Sequence, residues 1–252
     1  MGKINKQQIE TLLSFLGENN DRFFLIGGHA VAIHLEKIGL TFRATKDFDI
    51  VLITKIDDSS FSKQLEKMLI NGEYKNKYRN DKKTAYRFES PVSNAYPKII
   101  EFFVEEGQFP ESLDRRLAKL DIEVNEGMIS AIVLDKEVFE FAKRHVVIVD
   151  RLPVVDINGL IALKTLAYFK NKDLHEQSFV DENDYQKHRK DIIRLISIVQ
   201  NKEPIYDLPE SLLKPVNDFI KVLKESESAA KEYRVNLKDL IEIYKTIFTI
   251  KE

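Results

Sequence analysis

The sequence predicts an α+β amino-terminal part over residues 1–155 and a helical carboxy-terminal part over 156–252. Two observations carry this. Up to about Val155, short apolar runs bounded by turn residues alternate with amphipathic stretches of 3.6-residue period. From Asp156 onward only long helical patterns remain. Ile9, Leu12, Leu13 and Leu16 recur at helical spacing, so Lys6–Leu16 reads as a first helix. Phe23-Phe24-Leu25-Ile26 reads as a buried strand that ends at Gly27-Gly28. Ala30 to Leu35 reads as a helix that stops near Gly39. Lys46 to Ile53 reads as a second strand, and Phe61 to Leu69 as a helix ended by Asn71-Gly72. Further strands are expected at Thr84–Glu89, Pro97–Glu105, Val138–Phe141 and Val146–Val149. Helices are expected at Asn158–Lys170, Tyr185–Gln200, Pro209–Lys224 and Asn236–Ile250, with a loop or frayed ends between Asn171 and Asp184. No internal repeat interrupts this order.

Composition narrows the function classes. With 43% hydrophobic and 32% charged residues, the 252-residue chain can bury a core and keep a solvated surface. Its 39 Lys+Arg against 41 Asp+Glu exclude a uniformly basic nucleic-acid coat, though not a local basic patch. No run approaches the roughly 20 apolar residues of a membrane span. Met1 to Asn20 is polar and amphipathic, without a signal-peptide core. The absence of Cys excludes disulfides, Cys-ligated zinc and a thiol nucleophile, and the expected compartment is the cytoplasm. His34, His145, His175 and His188 lack metal-ligand spacing.

Three features of the amino-terminal part concern chemistry. Gly27-Gly28 joins a strand to a helix, where a ligand can approach the backbone and free N–H groups suit a phosphate. The same pair serves equally as a plain turn, and neither dinucleotide-fold nor P-loop spacing is present. Asp47 and Asp49 share one face of a strand, about 7 Å apart, opposite Phe48, Ile50 and Leu52. They are either a solvated outer face or a Mg²⁺ site, since Mg²⁺ takes a few carboxylate oxygens plus phosphates and water. Glu101 lies within the apolar strand Ile99-Ile100-Glu101-Phe102-Phe103 and needs a partner there. A metal shared with Asp47 and Asp49 is one candidate, a salt bridge the other. Glu105, on the same face, competes with Glu101 as the third acid.

Together these residues resemble the nucleotidyltransferase superfamily that includes DNA polymerase β. Its pattern is Gly-[Gly/Ser], an Asp-x-[Asp/Glu] strand and a third carboxylate on a neighbouring strand. The string Gly27-Gly28-His29-Ala30 … Arg43-Ala44-Thr45-Lys46-Asp47-Phe48-Asp49-Ile50 resembles more closely the bacterial AbiEii/AbiGii toxin-type members, with their Arg-x-Thr-x-Asp-x-Asp signature. In the helical part, Lys164-Thr165-Leu166-Ala167 resembles the family's Lys-x-x-Ala helix, and Lys190-Asp191 its downstream Lys-Asp pair. Lys164 sits centrally on an apolar stripe, so it either snorkels outward or reaches an anion. Asp191 falls on the inner face, where it can orient Lys164 or Lys190. The alternative for Lys187–Asp191 is a basic, solvated helix start. The chain departs from the pattern in its longer gap between Gly28 and Asp47, in His29 at a position usually held by a small hydroxyl residue, and in Glu101 in place of Asp.

The resemblance implies a polymerase β-like core with a mixed sheet, and transfer of a nucleoside monophosphate from a nucleoside triphosphate to an acceptor hydroxyl. It implies Mg²⁺ or Mn²⁺ on Asp47, Asp49 and Glu101, with Lys164 also catalytic. Gly27, Gly28, His29, Arg43, Thr45, Lys164, Lys190 and Asp191 would bind the nucleotide. It further implies an RNA acceptor such as tRNA, and a cognate antitoxin protein as partner. Lys75, Lys77, Arg79, Lys82 and Lys83, interleaved with Tyr74 and Tyr78, offer charge and stacking surface for RNA, or simply a hairpin kept soluble. The rival readings are an antibiotic-type small-molecule nucleotidyltransferase and a catalytically inert binding module.

Overall fold

A computed structural model of the chain describes residues 4–53, 59–78, 84–108, 117–124, 127–199 and 202–250. Two compact units divide it. Unit 1 comprises residues 1–139 and 146–155, and unit 2 residues 140–145 and 156–252.

Unit 1 opens with α1 (Lys6–Leu16), whose first turn is capped by Asn5 accepting the Gln7 N–H. Then come β1 (Phe23–Ile26), α2 (Gly27–Lys37), β2 (Asp47–Leu52) and α3 (Ser59–Asn71). Strands β3 (Lys75–Tyr78), β4 (Thr84–Glu89), β5 (Ile99–Glu105), β6 (Leu117–Val124) and β7 (Gly127–Leu134) follow. Helix α4 (Lys136–Arg144) carries the chain into unit 2, and β8 (Val146–Val149) and β9 (Leu152–Val155) return it to unit 1.

Among the described residues, nine strands form one mixed sheet in the order β3-β4-β7-β5-β2-β1-β9-β8, with β6 beside β7. β1 is antiparallel to β2, and β2 is parallel to β5. β5 is shared along its length: its start pairs antiparallel with β4 and its end parallel with β7. Register builds the core. Phe88, Ile100 and Phe48 lie side by side across β4, β5 and β2, fully buried. Phe102 and Ile50 form the next row on that face, also fully buried. At about 25 cal/mol per Å² of apolar surface, such rows of Phe and Ile dominate the stability of the sheet. Because side chains alternate, residues 47, 49, 87 and 101 belong to the opposite face.

Unit 2 is helical. Its helices are α5 (Ile157–Glu176), α6 (Glu182–Ile196), α7 (Glu210–Lys224), α8 (Glu227–Glu232) and α9 (Leu237–Phe248). Asp156 caps α5 by accepting the Gly159 N–H at 2.7 Å, and Asp181 with Asp184 forms a capping box on α6. Tyr168, Phe219, Tyr244 and Phe248 meet at ring separations of 4.8–5.8 Å and fill the bundle. The buried Tyr244 hydroxyl donates to the Val216 carbonyl at 3.0 Å.

Three expectations are corrected. Val138–Phe141 is part of α4, not a strand. The Asp135 side chain accepts the N–H groups of Glu137 and Val138 and starts a helix whose buried residues are Val138, Phe139, Phe141 and Ala142. A four-residue apolar run does not distinguish the two periods. The stretch Asn171 to Asp184 is mostly helix, because α5 continues to Glu176 and α6 begins at Glu182. Tyr74 offers no stacking surface: it is 2% exposed and its hydroxyl donates to the Pro97 carbonyl at 2.6 Å. Of the basic run around it, Arg79, Lys82 and Lys83 lie outside the described residues.

Candidate functional site

The site forms where β1 ends. Gly27 has φ +70°, a left-handed conformation that glycine adopts without steric cost. A Cβ at Gly27 would lie 2.7 Å from the Asp49 Cγ and closer still to its carboxylate oxygen. A Cβ at Gly28 would lie 3.1 Å from the Thr45 Cβ. The two glycines thus make room for two specific side chains, Asp49 from β2 and Thr45 from the segment before it. The bare turn of the sequence reading is therefore a turn with a carboxylate pressed against it.

Strand register then aligns a row across four strands: Ile26, Asp49, Glu101 and Arg87 are successive neighbours. Asp47 follows two residues before Asp49 on the same face, beside Ile99, which in turn neighbours Glu89. Like charges directly opposite, as Asp49 and Glu101 are, destabilise a sheet unless a cation is near. Arg87 is that cation. Its Nη1 donates to Glu101 Oε1 at 2.5 Å, its Nη2 to Asp47 Oδ1 at 3.1 Å and its Nε to Glu89 Oε2 at 3.3 Å. Burial alone would lower the pKa of Arg87, but its bond to Glu101 and the charges of Glu101 and Asp47 outweigh burial and raise it. Arg87 has no counterpart in the sequence reading.

The donor chemistry can be tested against Mg²⁺. Asp47 and Asp49 offer hard carboxylate oxygens on one sheet face beside the amino-terminal turn of α2, which fits an ion that takes one or two carboxylates plus substrate phosphates. Glu101 is held by Arg87 instead. Among the described residues, no group of three or more His, Asp or Glu side chains is arranged to hold a metal.

His29, Arg43 and Thr45 line one cavity of about 190 Å³ together with Lys46 and Lys98. Arg43 lies over the Phe42 ring at 5.0 Å. His29 is 3% exposed, its ring stacks on Phe48 at 3.6 Å, and its Nδ1 lies 2.8 Å from the Asp47 carbonyl oxygen. A carbonyl only accepts, so Nδ1 carries the proton. Burial, helped by the charge of Arg43, lowers its pKa to about 4 against the opposing pull of Asp47. His29 is therefore neutral at pH 7 and joins α2 to β2 rather than offering a charge to phosphate.

This shift has a sign. Below about 6.5 the unfolded chain takes up a proton that folded His29 refuses until about pH 4. Stability is fully present above about pH 6.5 and falls as pH drops through that window, by about 3 kcal/mol in all. Urea unfolding at about pH 7 and about pH 5 should show wild type losing about 2 kcal/mol more than His29→Gln. Equal losses would contradict the assignment.

In unit 2, the Lys164 Nζ donates to Asp191 Oδ2 at 2.7 Å, with the two side chains 5% and 2% exposed. Of the two partners the sequence allowed for Asp191, the structure selects Lys164. Lys190 instead lies 3.6 Å from Glu232 on a half-exposed surface. Glu105, the rival third acid, pairs with Leu134 of β7, away from the row that holds Asp49.

No family model matches the chain, and no curated protein matches it in sequence. Among solved structures, JHP933 from Helicobacter pylori is similar at a TM-score of 0.44 and 11% identity, over 97% of this chain and 90% of that one. A second H. pylori structure, described as a candidate nucleotidyltransferase, is similar at 0.44 and 11%, over 97% of this chain and 93% of that one. Likeness at this level carries no argument about function.

Proposed function

We propose that the chain is a metal-dependent nucleotidyltransferase, moving a nucleoside monophosphate from a nucleoside triphosphate to an acceptor hydroxyl. One observation supports it above the others: the Asp49 carboxylate lies against the Gly27 turn at the start of α2. That arrangement sets carboxylates beside backbone N–H groups and a positive helix end, as a metal–triphosphate substrate requires. Asp47 and Asp49 would hold the ion. A bound Mg²⁺ supplies charge neutralisation on the phosphates and lowers the pKa of the attacking hydroxyl.

In the reaction, the acceptor oxygen attacks the α-phosphorus and the bond from that phosphorus to the bridging oxygen breaks. Pyrophosphate leaves with the electron pair, and the hydroxyl proton passes to water. Gly27 and Gly28 hold phosphate oxygens by their N–H groups, while Arg43 and Thr45 face the same anion from the loop before β2. Positioning and charge supply most of the rate, with no covalent bond to the protein.

The acceptor we favour is RNA such as tRNA, in an AbiEii-like toxin whose partner is a cognate antitoxin protein. The resemblance of Arg43-x-Thr45-x-Asp47-x-Asp49 supports this. So does the cavity lining of Arg43, Lys46 and Lys98, which attracts a polyanion and repels a polycationic drug. Among the described residues, no helix is long and apolar enough to cross a membrane. Asp49→Asn should reduce transfer by at least about 100-fold, the scale on which removing one preorganised charge acts, with unchanged circular dichroism. Full activity in a folded variant would sink the assignment.

A further inference from the structure

On the site face, Asp47, Glu89 and Glu101 all bond to the one guanidinium of Arg87. The gap between Asp47 and Glu101 is spanned by Arg87, at 3.1 Å on one side and 2.5 Å on the other. A divalent ion bridging those two carboxylates would have to displace the guanidinium. Arg87 is firmly seated against that. It lies directly opposite Glu101 in the β4–β5 register, its side chain is 24% exposed, and a third bond reaches Glu89. Its neighbour in sequence, Phe88, is fully buried on the opposite face and anchors that part of β4. A planar fork that meets two carboxylates at once is a geometry that lysine cannot reproduce.

We propose that Arg87 takes the place of a second cation. The site then holds one divalent ion, on Asp47 and Asp49, and Arg87 supplies the other positive charge while keeping Glu101 out of the metal's ligand set. This rests on the nucleotidyltransferase reading. It goes beyond it by fixing the number of metal ions and giving Arg87 and Glu101 positions as a pair. Glu101 is then a positioning residue, because it acts by holding the guanidinium in place.

The test counts ions. Mn²⁺ is titrated into full-length protein with a non-hydrolysable nucleoside triphosphate analogue, and bound Mn²⁺ is followed by electron paramagnetic resonance. Wild type should saturate at one ion per chain. Arg87→Gln, which frees Asp47 and Glu101, should bind a second, and its Tm should rise with Mn²⁺ much more than that of wild type. Arg87→Lys keeps a charge without the fork and should take up its second ion only at higher Mn²⁺. It serves if the Gln variant does not fold. Two ions on wild type, or one ion on both variants, would overturn the inference and leave the transferase reading standing. No ion on wild type would overturn that reading and this inference with it.

Discussion

Lys164→Met should destabilise unit 2 by about 3–5 kcal/mol, the scale on which breaking a buried ion pair by removing one member acts. The variant keeps the length and apolar stem of the side chain, so packing changes little. What it removes is the 2.7 Å bond to Asp191, whose side chain is only 2% exposed and cannot turn to water. The double variant Lys164→Met/Asp191→Leu should recover most of the loss, because replacing both members of a buried pair by apolar groups is often close to neutral. Denaturant unfolding of the two single variants and the double measures the coupling. A loss below about 1 kcal/mol in Lys164→Met, the range of an exposed pair, would contradict a closed, buried pair. The double variant is also the background in which a part for Lys164 in transfer can be read without unfolding.

Gly27→Ala should have the larger effect on activity. Its φ of +70° is one at which an L side chain costs roughly 1–2 kcal/mol. The added Cβ would also strike the Asp49 carboxylate, 2.7 Å from Cγ, and drive it off its position. Transfer should fall by at least about 100-fold, on the scale of losing the charge itself. Gly28→Ala is the control. Gly28 has no positive φ, and the atoms its Cβ would meet belong to half-buried Thr45 rather than to a proposed metal ligand. Its loss in transfer should be the smaller of the two. Equal losses would mean that the turn, not the seat of Asp49, is what matters.

The local parts of this site are legible in the sequence, and the pairing parts are not. Phe23–Ile26 ends at two glycines, and Asp47 alternates with Phe48. Both follow from periodicity and turn chemistry. The alternation also puts Arg87 and Glu89 opposite Phe88 on one strand. What no local rule supplies is that this strand lies against Glu101. That follows from the register of β4 with β5, a contact between residues distant in the chain. For the same reason Glu101 could be read as a metal ligand or as half of a salt bridge, and it is register that brings Arg87 beside it. Strands β6, β7 and β9 and the short helix α8 escaped the reading. β9 is a fully buried run of four residues interrupted by Pro153, too short and too uniform to show a period. On α6, by contrast, helical spacing alone put Asp191 on the inner face, and there it meets Lys164.

Nucleotidyl transfer by the face that carries Asp47 and Asp49 is the proposed activity. Its most direct test is to incubate wild type and Asp49→Asn with Mg²⁺, total bacterial RNA and each α-labelled nucleoside triphosphate in turn. Label is expected on a tRNA-sized band with wild type and none with the variant, and the productive triphosphate names the nucleotide. Label on a small molecule or protein instead would replace the acceptor and keep the chemistry. No label on any acceptor, and no Mg²⁺-dependent nucleotide binding, would contradict the account and leave an inert binding fold.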